Sequence, residues 1–232
     1  MASREIKKVL VVKLSAMGDF ILALAAAKKI RQAHPKAQIT LLTTPPFEGL
    51  AKLCPYFNAV ETDGRPEGFG EWLALVGRLR KARYDRVYDL QTSSRSSMIF
   101  YGLWPFAPEW SGIAAGCALP HRNPRRDQMH TLERQADQLK AAGIWPDAPT
   151  EPGSAPGPDV SWILRKIEAP RPVAGGIEAR PYVLMAPGGS AHRPEKRWPI
   201  ESYARLAREL YDVGFDIVVV GGPQESALAR TI

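Results

Sequence analysis

The chain has little cysteine. Cys54 and Cys117 are its only thiols in 232 residues, and their separation fits neither a zinc knuckle nor a redox pair. A disulfide-stapled fold is therefore not expected, and both read as buried, inert thiols. No early run of basic residues leads into an apolar stretch, and no uninterrupted apolar segment approaches the ~20 residues that span a bilayer. The expectation is a protein without a transmembrane segment that stays in the compartment where it is made. Acidic residues are outnumbered as well, 24 Asp and Glu against 31 Lys and Arg, for a formal net charge of +7. Residues 1 to 170 hold 23 Lys and Arg against 17 Asp and Glu, and residues 171 to 232 hold 8 against 7. Any anionic partner should therefore meet the first part. The sequence has no Walker loop and no G-x-G-x-x-G, which counts against kinase and NAD chemistry. It has no Asp-x-Asp pair, and its basic residues are scattered without a nucleic-acid-reading module. Neither a metal, a cofactor nor a nucleic-acid partner is expected.

What is present is ordinary globular composition, 45% hydrophobic and 24% charged, arranged in a repeating theme. Lys8 to Leu14 is a near-continuous apolar strand of the kind covered on both faces in a parallel sheet. The loop Ser15-Ala16-Met17-Gly18-Asp19 follows, then a helix from Phe20 to Ala33 that stops before His34-Pro35. The alternation continues with strands at 38–43, 58–62, 86–90 and 109–113, and helices at 47–53, 69–82, 93–103 and 129–142. This predicts an α/β fold with a parallel sheet and right-handed crossovers. From Trp145 to Pro181 the chain carries eight prolines and four glycines, the composition of a boundary, with a short helix near 160–167. The theme then restarts with a strand at 182–186, a helix at 200–213 and a strand at 216–220. Three regions are expected: a Rossmann-like domain over 1–144, a Pro/Gly-rich linker over 145–181, and a second Rossmann-like unit over 182–232.

Several residues carry possible chemistry. In the second unit, Pro187-Gly188-Gly189-Ser190 directly follows a strand, and Lys196-Arg197-Trp198-Pro199 precedes a helix. Glycines let backbone N–H groups approach an anion, and a lysine supplies a compact cation, so the pattern suits a diphosphate. It also suits a plain turn with an exposed lysine. The turn Gly221-Gly222-Pro223-Gln224-Glu225 adds a carboxylate beyond the carboxyl end of the next strand, where ligands of such sheets bind. Asp19 opens the helix after the first strand, where it reads either as a helix cap or as a general base. His130 and Glu133 read as a surface pair rather than half a metal site. Arg122, Arg125 and Arg126, with Lys28, Lys29 and Arg31, read either as a surface for an acidic acceptor or as solvated charge, and Arg78, Arg80 and Lys81 as solvated helix faces.

Three blocks in order, Val9 to Asp19, Pro187 to Ser190 with Lys196 to Pro199, and Gly221 to Glu225, resemble the successive signatures of glycosyltransferase family 9, the heptosyltransferases. The resemblance spans essentially the whole chain. It implies a GT-B arrangement of two Rossmann-like units with parallel sheets, the first for a sugar acceptor and the second for a nucleotide sugar, usually ADP-heptose. Its chemistry would be an inverting, metal-independent transfer without a cofactor, delivering a heptose or related sugar to the lipopolysaccharide inner core. Carried over by position, Asp19 matches the catalytic base, Lys196 the lysine that neutralises the diphosphate, and Glu225 the carboxylate on ribose hydroxyls. Gly188, Gly189 and Ser190 match the phosphate loop. His192 and Arg193, between the glycine loop and the lysine, read either as further donors to phosphate or as plain surface residues, and the resemblance assigns them no position. The partners implied are an ADP-sugar and an acidic glycolipid acceptor at the inner membrane surface, which makes the location cytoplasmic and peripheral to that membrane. Family members continue beyond the position of Ile232 with a further Asp and glycine turn. The second unit is therefore expected to be truncated, in a fragment of a longer protein or a shortened gene product. The alternative function is that of a non-catalytic relative that binds anionic lipid or polyanion through its basic first domain.

Overall fold

The computed structural model describes residues 5–149, 151–165, 181–189, 195 and 197–232. The chain divides into two compact units, Met1–Glu168 and Ala169–Ile232. The first is built on a six-stranded sheet of β1 (Lys8–Val12), β2 (Gln38–Leu42), β3 (Ala59–Glu61), β4 (Arg86–Asp89), β5 (Glu109–Gly112) and β6 (Leu119–Pro120). All pairings are parallel, in the order β3-β2-β1-β4-β5-β6. Strand order reverses between β1 and β4, so the loops leaving their carboxyl ends diverge and open a crevice, the place where such sheets bind ligands.

Apolar runs without alternation make the central strands, because both sheet faces are covered. Val9, Leu10, Val11 and Val12 are at most 1% exposed. On one face, α1 (Met17–Ala33), α2 (Glu48–Leu53) and α5 (Thr131–Ala141) bury Phe20, Leu24, Ala27, Ile30, Ala136 and Leu139 against Val9, Val11 and Ile39. On the other, α3 (Phe69–Ala82) and α4 (Ser94–Leu103) bury Leu75, Leu79, Ile99 and Leu103 against Leu10, Val12 and Val87. Each of the Val, Leu, Ile and Phe side chains among them contributes on the order of 1.5–3 kcal/mol when fully buried.

The expected elements are observed, with informative differences. Helix α1 starts at Met17, three residues earlier than expected, and its N-cap is Ala16, whose side chain makes no capping bond. Asp19 therefore lies within the first helical turn and is neither a loop residue nor the cap. Strand β6 was not foreseen. It is two residues long and contains a proline, which a sheet edge tolerates because no further strand needs its N–H. The described part of the Pro/Gly-rich stretch packs on the first unit: Trp145, Ala148 and Trp162 join its core, and a short helix, α6, spans Ser161–Leu164. Asp159 forms an ion pair with Lys28 at 2.8 Å, while Lys29 lies over the Trp145 ring.

The second unit has two parallel strands, β7 (Tyr182–Met185) and β8 (Asp216–Val219). They are joined through α7 (Ile200–Asp212), and α8 (Ser226–Thr231) follows a 3-10 turn at Pro223–Glu225. Among its described residues, only Met185 and Ala207 are buried hydrophobics.

Candidate functional site

The first site assembles at the carboxyl edge of β1 and β4. Beyond Val12 the chain turns over Lys13 to Ala16 into α1, so the first-turn Asp19 stands above the crevice, half-buried. Across 112 residues of sequence, the Thr131 hydroxyl at the start of α5 donates to Asp19 Oδ1 at 3.3 Å. No described residue donates to Oδ2. Arg134, one turn further along α5, donates to the Thr131 oxygen at 3.4 Å.

Residues after β4 hold the other side. Gln91 Oε1 accepts the backbone N–H groups of Leu14, at 2.9 Å, and Ser15, at 3.2 Å, which fixes the loop that leads into α1. The neighbouring Asp89 is fully buried. Burial pushes its carboxyl up to about 6, against the lowering pull of the Thr92 N–H, the Ser96 hydroxyl, the Gln91 N–H and the Lys13 charge. Its Oδ1 accepts from Thr92 at 2.8 Å and Gln91 at 3.1 Å, while no described group donates to Oδ2. Lys13 is 5% exposed. Burial pushes its ammonium down, an effect opposed by Asp19 and Asp89 and reinforced by Arg134. Cations and carboxylates thus alternate along this edge, in a setting dry enough for each to feel the others.

A cavity of about 420 Å³ opens at the N-terminal end of α5, lined by Asn123, Arg125, Gln128, Met129, His130, Glu133, Glu151, Pro152 and Gly153. His130 and Glu133 do pair, Nδ1 to Oε2 at 3.2 Å, with the His130 ring exposed and the Glu133 carboxylate buried. Glu133 is 3% exposed and accepts the N–H groups of Gly153 and Ala155, while the His130 ring caps α5 through Leu132 N. Among the described residues, no three His, Cys, Asp or Glu side chains form a metal cluster. A larger cavity, about 700 Å³, lies among Arg83 to Asp85 and Pro105 to Glu109. Those segments enter β4 and β5, so it sits at the opposite edge of the sheet from Asp19.

The basic surface expected to face an acidic acceptor does not assemble as one patch. Lys28 and Lys29 engage Asp159 and Trp145, and Arg31 donates to the Tyr56, His34 and Ala37 carbonyls. These cations are spent on holding α1 to its neighbours. Arg126 is half-buried and pairs with Asp127 at 2.6 Å, whereas Arg122 and Arg125 are exposed. Arg78 pairs with Glu61 and Asp63, and Arg80 donates to the Gly102 and Trp104 carbonyls; only Lys81 remains a plainly solvated member of that helix face.

The second site lies at the carboxyl edge of β7 and β8. Glu225 Oε2 accepts the Gly222 N–H at 2.8 Å, folding its side chain back over the turn. A Cβ at Gly188 would stand 2.8 Å from Glu225 Cγ, and one at Gly221 2.8 Å from Glu225 Cβ. Both positions need glycine because the carboxylate arm lies directly on their backbone. Gly188 and Glu225 are thereby brought together, and Gly189 accepts a 2.6 Å hydrogen bond from Arg197 through its carbonyl. Ser190, Lys196, His192 and Arg193 lie outside the described residues.

Lys13, Asp89, Gln91, Thr131 and Arg134 were given no role from sequence. Lys13 left a trace, since it interrupts an apolar strand run beside Leu14. The others left none, because their significance comes from packing between distant segments.

Comparison with known proteins adds a lineage. Residues 72–232 match the model of glycosyltransferase family 9 (heptosyltransferase). The chain is 26% identical to lipopolysaccharide heptosyltransferase 2 of Escherichia coli (strain K12), over 97% of this chain and 66% of that protein. It is 25% identical to lipooligosaccharide heptosyltransferase 2 of Haemophilus ducreyi, with the same shares covered. It thus spans just under two thirds of the length of these relatives. The solved structure of E. coli ADP-heptose lps heptosyltransferase II matches with a TM-score of 0.71 at 23% identity, over 96% of this chain and 67% of that one. The fold is GT-B-like, with two Rossmann-like units of parallel strands.

Proposed function

Because the chain belongs to glycosyltransferase family 9, we propose that it is the acceptor-side and part of the donor-side machinery of an inverting sugar transferase. The observation that carries this reading is the Asp19 carboxylate at the strand-order reversal, held through Oδ1 by Thr131 with Oδ2 left for a reactant. The donor is an ADP-sugar, with ADP-heptose favoured by the names of the similar proteins. The acceptor is a sugar hydroxyl of the lipopolysaccharide inner core.

In the proposed step, the acceptor oxygen attacks the anomeric carbon from the face opposite the diphosphate. Asp19 takes the hydroxyl proton as the new C–O bond forms and the bond to the ADP oxygen breaks. One displacement inverts the configuration. The leaving diphosphate carries negative charge, assigned to Lys196, Ser190 and the backbone of Gly188 and Gly189. Glu225 is assigned to ribose hydroxyls, a role supported by its position over the glycine loop. No step requires a metal or cofactor.

A lipid-linked acceptor places the enzyme in the cytoplasm at the inner membrane face. Among the described residues no helix is long and apolar enough to cross a membrane. Exposed Phe69, Leu73, Met98, Trp104 and Phe106 on the α3 and α4 side support peripheral contact with lipid. The alternative, a non-catalytic polyanion binder, loses support because Lys28, Lys29 and Arg31 are engaged within the molecule.

The test is Asp19→Asn in the full-length natural protein, with kcat and donor Kd measured side by side. The isosteric amide cannot accept the proton, so turnover should fall by about 10²- to 10⁴-fold while ADP-heptose binding, followed by heat release, stays near wild type. Lys196→Ala should do the reverse and weaken ADP itself. Turnover within a few-fold of wild type in Asp19→Asn would remove the base assignment, and no ADP binding by the parent protein would remove the donor reading.

A further inference from the structure

Resting on the assignment of Asp19 as base, we propose that Thr131 and Arg134 are a positioning pair that aims the carboxylate. Neither residue touches the reacting atoms in this scheme; they act through Asp19.

Hydrogen-bond capacity fixes the direction of the contacts between these three residues. A threonine hydroxyl has a single proton and accepts through its lone pairs, whereas a guanidinium can only donate. Arg134 donates to Thr131 Oγ1 at 3.4 Å, so it occupies an accepting position and leaves the hydroxyl proton to be placed elsewhere. Thr131 places it on Asp19 Oδ1 at 3.3 Å. The order Arg134, Thr131, Asp19 therefore has a single sense. It engages Oδ1 and presents Oδ2, which receives no hydrogen bond from a described residue, as the proton acceptor.

The scaffold beneath the pair is firm. Residues three apart on a helix share a face, so α5 itself sets the distance from Arg134 to Thr131. That helix is tied down by Gln138, whose amide donates to the Asp89 and Ser111 carbonyls at 3.0 and 3.2 Å, and by buried Glu133 on the Gly153 and Ala155 amides. Helix α1 is fixed from the other side, where Gln91 grips the Leu14 and Ser15 amides. Asp19, on anchored α1, thus faces anchored α5, and the hydroxyl-to-carboxylate contact is the link that converts their packing into an orientation. Misdirection of a catalytic group by about 1 Å can lower turnover by up to ~10²-fold.

The experiment compares Thr131→Val, Thr131→Ser, Arg134→Met and the Thr131→Val/Arg134→Met double variant in the full-length enzyme, with ADP-heptose and a lipopolysaccharide-core acceptor. Thr131→Val keeps the shape and removes the donor, so kcat should fall about 10- to 100-fold with donor KM within about twofold. Thr131→Ser restores the hydroxyl and should return kcat to within about threefold of wild type, which a shape-filling role would not predict. Arg134→Met should cost about 3- to 10-fold alone and nothing further on Thr131→Val, since a relay has no separate effect once its middle is gone. A wild-type kcat in Thr131→Val, a Thr131→Ser variant as slow as Thr131→Val, or additive losses in the double variant would each overturn the proposal. If Asp19→Asn loses activity while Thr131→Val does not, the base stands and the positioning pair falls. If Asp19→Asn stays active, the base assignment itself has failed.

Discussion

The two units solve the same problem, a carboxylate at the carboxyl edge of a parallel sheet, by different means. In the first, Asp19 is secured by Thr131 from 112 residues away, over strands that are almost completely buried. In the second, Glu225 is secured by Gly222, three residues away, beside strands that remain partly exposed. The first arrangement depends on the whole domain being folded. The second depends on a capping turn and on glycines small enough to let the carboxylate arm lie on the backbone. A tertiary lock keeps a side chain in one orientation, which suits the base proposed for Asp19, while a local turn presents a group without a deep core beneath it, which suits the ribose contact proposed for Glu225.

The largest expected contrast is in local stability. In the chain of residues 1–232, amide exchange should be slow in Val9 to Val12 and Arg86 to Asp89. It should be much faster in Tyr182 to Met185 and Asp216 to Val219, because local openings range from near zero to the global stability and these strands lie near the low end. Equal protection in both sheets, measured residue by residue, would dissolve the comparison.

Next in size is a pH effect confined to the first unit. The folded pKa of Asp89, about 6, lies above the ordinary value of 3.8, so the fold favours the protonated acid. Its stabilising contribution is present below about pH 4 and disappears as pH rises through 6, a loss of about 3 kcal/mol for a shift of this size. Urea midpoints at pH 4.5 and 7.5 should show the first unit weakening across this window more in the parent chain than in Asp89→Asn. Identical pH profiles for the two would mean that Asp89 is not the titrating group.

The smallest effect sharpens the second site. Glu225→Gln keeps the arm over Gly188 but makes a weaker acceptor, so ADP-heptose affinity should fall by about 1–2 kcal/mol with little change in kcat. Unchanged affinity, measured by titration, would leave Glu225 as a capping residue only.

Legibility in the sequence follows the same division. Strand and helix positions in both units could be read because apolar runs, helix formers and Pro or Gly stops act over a few residues. The Glu225 turn was readable for the same reason. Asp19 could be singled out as a candidate, but its place within the helix could not be read, since Ala16 makes an N-cap that no capping pattern announces. The Pro/Gly-rich residues 145–165 show the limit of composition. Their prolines signal an irregular path, yet Trp145 and Trp162 lie in the first core, and only the presence of α1 beside them decides that.

The amino-acid order by itself determined the α/β alternation, the two glycine-bearing turns and the lineage they belong to, because each depends on neighbours within a few positions. Tertiary structure alone decided which hydroxyl meets Asp19, that Gln91 grips the loop before it, that Lys28 and Arg31 hold helices rather than an acceptor, and that Asp89 is buried. Those outcomes depend on parallel strand order. Placing β1 beside β4 brings residues near 14 and 91 together, and packing α1 against α5 brings 19 and 131 together, at sequence separations across which no local pattern carries information.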